Sequence, residues 1–150
     1  MTYKSLNACC LELENQGQLV RIHDELDPHF VIPEIHRRVY QAQGPALLFE
    51  HVKGSPFRAV SNIFGTTQRC ELIFSDVLKK FEWLIQAKID PTSILKSPIR
   101  SIRHFPFLLS AIPSRRRTNS LIHSCKISNL PAITSWPMDG GSFITLPQVI

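Results

Sequence analysis

Apolar and polar positions alternate with clear periods over the first 90 residues and lose them afterwards. Leu6, Cys9, Cys10 and Leu13 fall at helical spacing behind Ser5, a residue type suited to an N-cap, and Gly17 offers a C-terminal stop. Leu19-Val20-Arg21-Ile22 predicts a short strand, and residues 24–27 with Pro28 a polar connection. Pro33 sits where a second helix can start, with Ile35, Val39 and Ala42 on its inner face and Gly44-Pro45 at its end. Ala46-Leu47-Leu48-Phe49 reads as an apolar strand. Lys53-Gly54-Ser55-Pro56 is a turn, and residues 57–62 alternate as a further strand. Thr66 or Thr67 can cap a helix through Leu72, Ile73 and Phe74. Ser75 can cap another through Val77, Leu78, Phe81, Leu84 and Ile85, closed by Asp90-Pro91. Strands alternating with helices predict a compact α/β unit up to about residue 90.

The stretch from Lys96 to Cys125 follows neither period. It holds Pro98, Pro106, Pro113, the triplet Arg115-Arg116-Arg117 and many serines, which predicts a linker or irregular excursion. Charge changes the picture further. The chain of 150 residues carries a net +5, yet its basicity belongs to one segment: residues 91–138 hold seven Lys/Arg and no acid. Phe105, Phe107 and His104 interleave with these cations, so stacking on single-stranded nucleic acid is conceivable. No recognisable nucleic-acid module accompanies them, and no specific nucleic-acid partner is expected.

Candidate chemistry is sparse. The four cysteines, Cys9, Cys10, Cys70 and Cys125, show no C-x-x-C spacing and read as free thiols in a reducing, cytoplasmic setting. Cys9 and Cys10 are expected to be buried small hydrophobes. No stretch approaches the ~18 apolar residues needed to span a bilayer, so no transmembrane segment is expected. None of the six histidines has metal-ligand spacing. His23 with Asp24, Glu25 and Asp27 forms the one acid–histidine cluster and reads as a solvated turn. Asp139-Gly140-Gly141 lacks the further residues of a phosphate-cradling loop and reads as a tight turn entering an apolar strand at Phe143-Ile144. That strand is expected to lack a partner, leaving an exposed edge.

The order of several runs carries a resemblance. Gly17-Gln18-Leu19-Val20-Arg21-Ile22 is followed by Ile35-His36-Arg37-Arg38-Val39. Next come Gly44-Pro45-Ala46-Leu47-Leu48-Phe49-Glu50-His51-Val52-Lys53-Gly54-Ser55-Pro56-Phe57 and Asn62-Ile63-Phe64-Gly65-Thr66. Leu130-Pro131 and Trp136-Pro137-Met138-Asp139-Gly140-Gly141-Ser142-Phe143-Ile144-Thr145 close the series. Together these resemble the amino-terminal part of the UbiD family of non-oxidative decarboxylases, over residues 3–90 and 129–150. Met138 departs from the acidic residue that relatives often carry there.

The resemblance implies an α/β fold (α+β): a UbiD-type amino-terminal α/β domain over residues 1–92, a basic Pro/Ser/Arg-rich linker over 93–128, and over 129–150 the first strand of a truncated split β-barrel that binds flavin. It implies a carboxy-lyase of ubiquinone-pathway type acting on aromatic or unsaturated acids such as polyprenyl-hydroxybenzoate. It implies prenylated FMN and manganese in the intact enzyme, and homo-oligomers. The family's metal ligands and its Glu–Arg–Glu set correspond to positions beyond Ile150, so no catalytic, cofactor-binding or metal residue is assigned among residues 1–150. The fragment alone is expected to be inactive and to bind no cofactor, with a separately encoded remainder as a possible partner. The acid-free middle and the early end are together what a compensated frame slip followed by a stop would leave. The alternative is a non-catalytic interaction module or remnant that pairs with the rest of the enzyme or binds polyanions.

Overall fold

A computed structural model of the chain describes Tyr3, residues 5–90 and residues 125–144. The basic excursion over residues 96–124 and the end of the chain from Thr145 lie outside the described residues. Helix α1 (Leu6–Asn15) begins where Ser5 accepts a hydrogen bond from the Ala8 amide and stops before Gly17, whose φ of 66° suits a residue without a Cβ. Strand β1 (Leu19–Leu26), helix α2 (Val31–Gln41) and strand β2 (Ala46–Val52) form a β-α-β unit, with β1 and β2 parallel. The turn at Gly54, with φ 80°, returns the chain as β3 (Ala59–Ser61), antiparallel to β2. The sheet order is β1-β2-β3.

The core lies on the central strand. Ala46, Leu47, Leu48 and Phe49 are all buried. Side chains alternate along a strand, so both faces of β2 are covered, as its unbroken apolar run requires. Leu47, Phe49 and Val52 cluster with Ile32 of α2, and Ile22, Leu26, Ile35, Val39, Ala59 and Ile133 pack around them. Helix α1 packs along β1 and buries Cys9, Cys10 and Leu13.

Several expected boundaries shift. β1 runs four residues past Ile22, so His23, Asp24 and Glu25 lie in the strand and not in a solvated turn. Pairing to β2 continues across a register shift between Ile22 and Glu25, and this ladder outweighs the weak strand preference of the acidic residues. α2 starts two residues before Pro33, which proline tolerates because first-turn amides have no intrahelical acceptor. Ala42 is the exposed C-cap and not an inner-face residue. The two helices expected after Thr66 are one, α3 (Thr67–Ile89), with Ser75 in its interior. The Thr66 hydroxyl accepts from the Arg69 amide at its start, and helix-forming neighbours leave Ser75 no break to cap.

Residues cluster into two compact units, one of Tyr3–Cys70 with His123–Ile150, the other of Met1–Thr2 with Glu71–Ile122. In the second, the described part is α3 from Glu71 onward; Ile73 is buried there, and Leu78, Ile85 and Ile89 are exposed. In the first, residues 125–144 lie with the α/β sheet. A 3-10 turn, Ile127–Asn129, precedes residues 133 and 134, which make β-bridges to Phe143 and His29. The apolar segment therefore has partners at Ile133, Thr134 and Phe143.

Candidate functional site

Three polar clusters emerge from the fold of the first unit. The deepest is built on Arg69, in the first turn of α3. Its side chain is 1 % exposed, and its guanidinium donates to three backbone carbonyls: Nε to Ile63 (3.2 Å), Nη1 to Gly44 (2.9 Å) and Nη2 to Asn62 (3.0 Å). Burial pushes the Arg69 pKa down. Asn62, at a left-handed φ of 60°, faces the same carbonyls; its Nδ2 donates to Gly44 O and Pro45 O. Its buried Oδ1 has no hydrogen-bond partner among the described residues. The nearest backbone is Gly65, where a Cβ would stand 1.8 Å from that oxygen. Gly65 is required here for close approach. The cluster ties the end of α2, the loop after β3 and the start of α3 into one knot. Its donors are committed to the chain's own carbonyls, so its chemistry is positional.

The second cluster lies on β1 and β2. Arg21 makes a two-pronged bond to Glu14 (Nε 3.0 Å, Nη2 2.6 Å) and a further one to Glu50 (2.6 Å), and His23 Nδ1 meets the other Glu50 oxygen. The bonds to Arg21 hold the Glu14 and Glu50 carboxyls below their usual range. The acid–histidine group expected at residues 23–27 is thus split. His23 pairs with Glu50, whereas Asp27 accepts from the His29 amide (2.9 Å) and Lys53 (2.9 Å), which lower its pKa. On α2, Glu34 bonds Arg37 and Arg38 and is lowered to about 2.

These four carboxylates set an acid limit. Each is easier to ionise in the folded chain, so its stabilising effect is complete above the unfolded value of 4.5 for Glu or 3.8 for Asp and is lost as pH falls through the lower folded value. The urea midpoint is expected to hold from neutral pH to about 5 and then fall steadily toward about 2. Glu34→Gln should flatten the most acidic part of that slope, and added salt should shrink the effect because these pairs are exposed. An unchanged midpoint at pH 3 would contradict this account.

The third cluster joins Ser61 Oγ to His36 Nδ1, with the His36 ring stacked on Tyr40 at 6.1 Å. Among the described residues no acid meets the other imidazole nitrogen, so the arrangement lacks the orienting group that activates a hydroxyl nucleophile. Cys9 and Cys10 are buried, and burial pushes both thiols up in pKa, away from reactive thiolate. At the expected turn, Asp139 Oδ2 accepts from the Ser135 amide (2.9 Å), and the Asp139 amide donates to Trp136 O (3.0 Å). This is the tight turn read from Asp139-Gly140-Gly141. Among the described residues, no three His, Cys, Asp or Glu side chains gather as a metal-binding group, and no helix is long and apolar enough to cross a membrane. Sequence reasoning missed the Arg69 knot. Its signal was the spacing Asn62-x-x-Gly65-x-x-x-Arg69, invisible as chemistry because its partners are backbone carbonyls.

Comparison with known proteins completes the description. The family model of the 3-octaprenyl-4-hydroxybenzoate carboxy-lyase N-terminal domain matches residues 10–88, and that of the Rift-related domain of the same enzyme matches residues 112–150. A protein of Chlamydia trachomatis serovar D is 40% identical across 97% of this chain and 26% of its own length. A protein of Chlamydia pneumoniae, named as a subunit of 4-hydroxybenzoate decarboxylase, is 37% identical across 90% of this chain and 24% of its own. The chain therefore spans about a quarter of the length of these relatives. Among solved structures, vanillic acid decarboxylase of Sedimentibacter hydroxybenzoicus is 32% identical over 48% of this chain and 16% of that one, with a TM-score of 0.46. With its amino-terminal domain model matched over more than half of the chain, and the second domain model following in order, this protein belongs to the UbiD family of carboxy-lyases.

Proposed function

We propose that the chain serves a non-oxidative decarboxylase of aromatic or α,β-unsaturated acids such as polyprenyl-hydroxybenzoate, and that residues 1–150 do not carry out the reaction alone. The match of both family domains in chain order is the observation that carries this reading. Loss of CO₂ leaves a carbanion, which needs an electron sink, and a prenylated flavin supplies one when bound. An acid must then protonate the product. The described residues do not fit a flavin–metal centre: Arg69 is occupied by backbone carbonyls, and no metal-binding group is assembled among them. Their contribution under this reading is to build the α/β unit and hold the Trp136–Phe143 turn against it.

A separately encoded polypeptide is the proposed supplier of the remainder, in line with a relative whose name marks it as one part of a multi-chain decarboxylase. The assembled enzyme is proposed to be oligomeric and cytoplasmic, with manganese beside the flavin. The test mixes the purified chain with prenylated FMN, manganese and an aromatic acid. Neither CO₂ release nor flavin absorbance retained through gel filtration is expected. Adding a polypeptide equivalent to the remaining part of the Chlamydia trachomatis relative should restore both. Turnover by the chain alone would overturn the reading, and so would failure of the supplemented mixture to release CO₂.

A further inference from the structure

The left-handed backbone at Phe30 is the feature that the fold itself leaves unexplained. Its φ is 68°, a conformation costly for a bulky side chain, and its own side chain is exposed. Such a residue persists only where its surroundings over-determine it. The surroundings here come from far along the chain. The Phe30 amide donates to Thr134 O (2.9 Å), the Thr134 amide donates to Pro28 O (3.2 Å), and His29 Nδ1 lies 2.9 Å from Thr134 Oγ1. Thr134 Oγ1 in turn lies 3.0 Å from Ser142 Oγ. Next to it, Ile133 exchanges both backbone bonds with Phe143 (2.7 and 2.8 Å) and packs onto the cluster of Ile32, Leu47, Phe49 and Val52. Ser55 Oγ donates to Asn129 O (2.6 Å) and pins the segment upstream.

We propose that residues 129–143 are a strap whose docking holds Phe30 in its left-handed conformation, so that the strap and the first turn of α2 switch together between docked and released states. Phe30 O accepts from the Glu34 amide (3.1 Å), which makes its conformation part of the start of α2. On release, Phe30 loses its bond to Thr134 O and can relax to an ordinary negative φ. The exposed Trp136, Met138 and Phe143 ride on the same strap. A partner that grips them in one state only would therefore be felt at α2.

Amide hydrogen exchange on the full chain tests this. In Ile133→Ala, the Phe30 and Glu34 amides are expected to exchange at least tenfold faster than in the parent, while Leu48 and Phe49 in β2 keep their protection. Phe30→Gly, which accepts a positive φ without strain, should instead slow exchange at Thr134 several-fold by favouring the docked state. Unchanged exchange at Phe30 in Ile133→Ala overturns the proposal, and so does an equal loss of protection throughout β2, which would make Ile133 an ordinary core residue. If Ile133→Ala does not fold, Phe30→Gly decides alone: unchanged or faster exchange at Thr134 overturns the strap.

Discussion

Arg69→Met is expected to lower the unfolding free energy of the chain by about 3 kcal/mol, because each buried polar group left without a partner costs about 1–3 kcal/mol. Methionine matches the length and fills the space, so the loss is not one of volume. Three carbonyls lose their guanidinium donor. Ile63 O has no other donor among the described residues, whereas Gly44 O keeps Asn62 Nδ2 and Asn62 O keeps the Gly65 amide at 3.3 Å. Removing a buried charge also removes its desolvation cost, which offsets part of the loss and keeps the figure at about 3 rather than the full sum. Arg69→Lys should recover little, since one ammonium cannot reproduce a planar fork aimed at carbonyls from two loops. Gly65→Ala attacks the same knot from the other side. Its Cβ would meet Asn62 Oδ1 and Cγ at 1.8 and 2.7 Å, a clash worth about 1–3 kcal/mol. Urea unfolding of the three variants checks the set. A change below about 1 kcal/mol in Arg69→Met would mean that water replaces the guanidinium without loss.

Phe49→Ala is expected to cost about 3–5 kcal/mol, the range for a large aromatic removed from a packed core. Phe49 has no exposed surface and sits in the cluster with Ile32, Leu47 and Val52 on the central strand. Neighbours on both β1 and β3 hold its backbone, pairing it with Ile22 and Ala59, so the sheet cannot collapse into the cavity. Phe49→Leu should retain most of the stability, with a cost of roughly 1 kcal/mol, because it preserves much of the volume. Near-equal unfolding midpoints for Phe49→Ala and the parent would show that the face over β2 is fluid rather than packed. Against a typical net stability of about 5–15 kcal/mol, either this change or Arg69→Met removes a substantial fraction.

Placement of these two residues divides the legible from the illegible. Phe49 stands in an apolar run that reads as a buried strand without any structure, and the run's sidedness follows from alternation alone. Arg69 reads as one more surface cation on a helix. Only the closing of residues 44–45 and 62–65 around it shows a buried charge satisfied by backbone. The same distinction holds for His23. Its acidic neighbours suggest a polar turn, yet the parallel ladder with β2 carries the strand through them. Ser75 likewise has the chemistry of a cap, but nothing in α3 breaks before it. Phe30 carries no turn signal in its side chain, so its left-handed backbone is dictated by Thr134, far along the chain.

The sequence by itself determined the α/β class, the caps at Ser5 and Gly17, the turns at Gly54 and Asp139, and membership of a decarboxylase family. All of these rest on local propensity, periodicity or contiguous motifs. The tertiary structure alone decided the length of β1, the continuity of α3, the burial of Arg69 and the seat of residues 129–143 on the sheet. Those depend on hydrogen bonds and packing between segments distant in the chain, which no local pattern encodes.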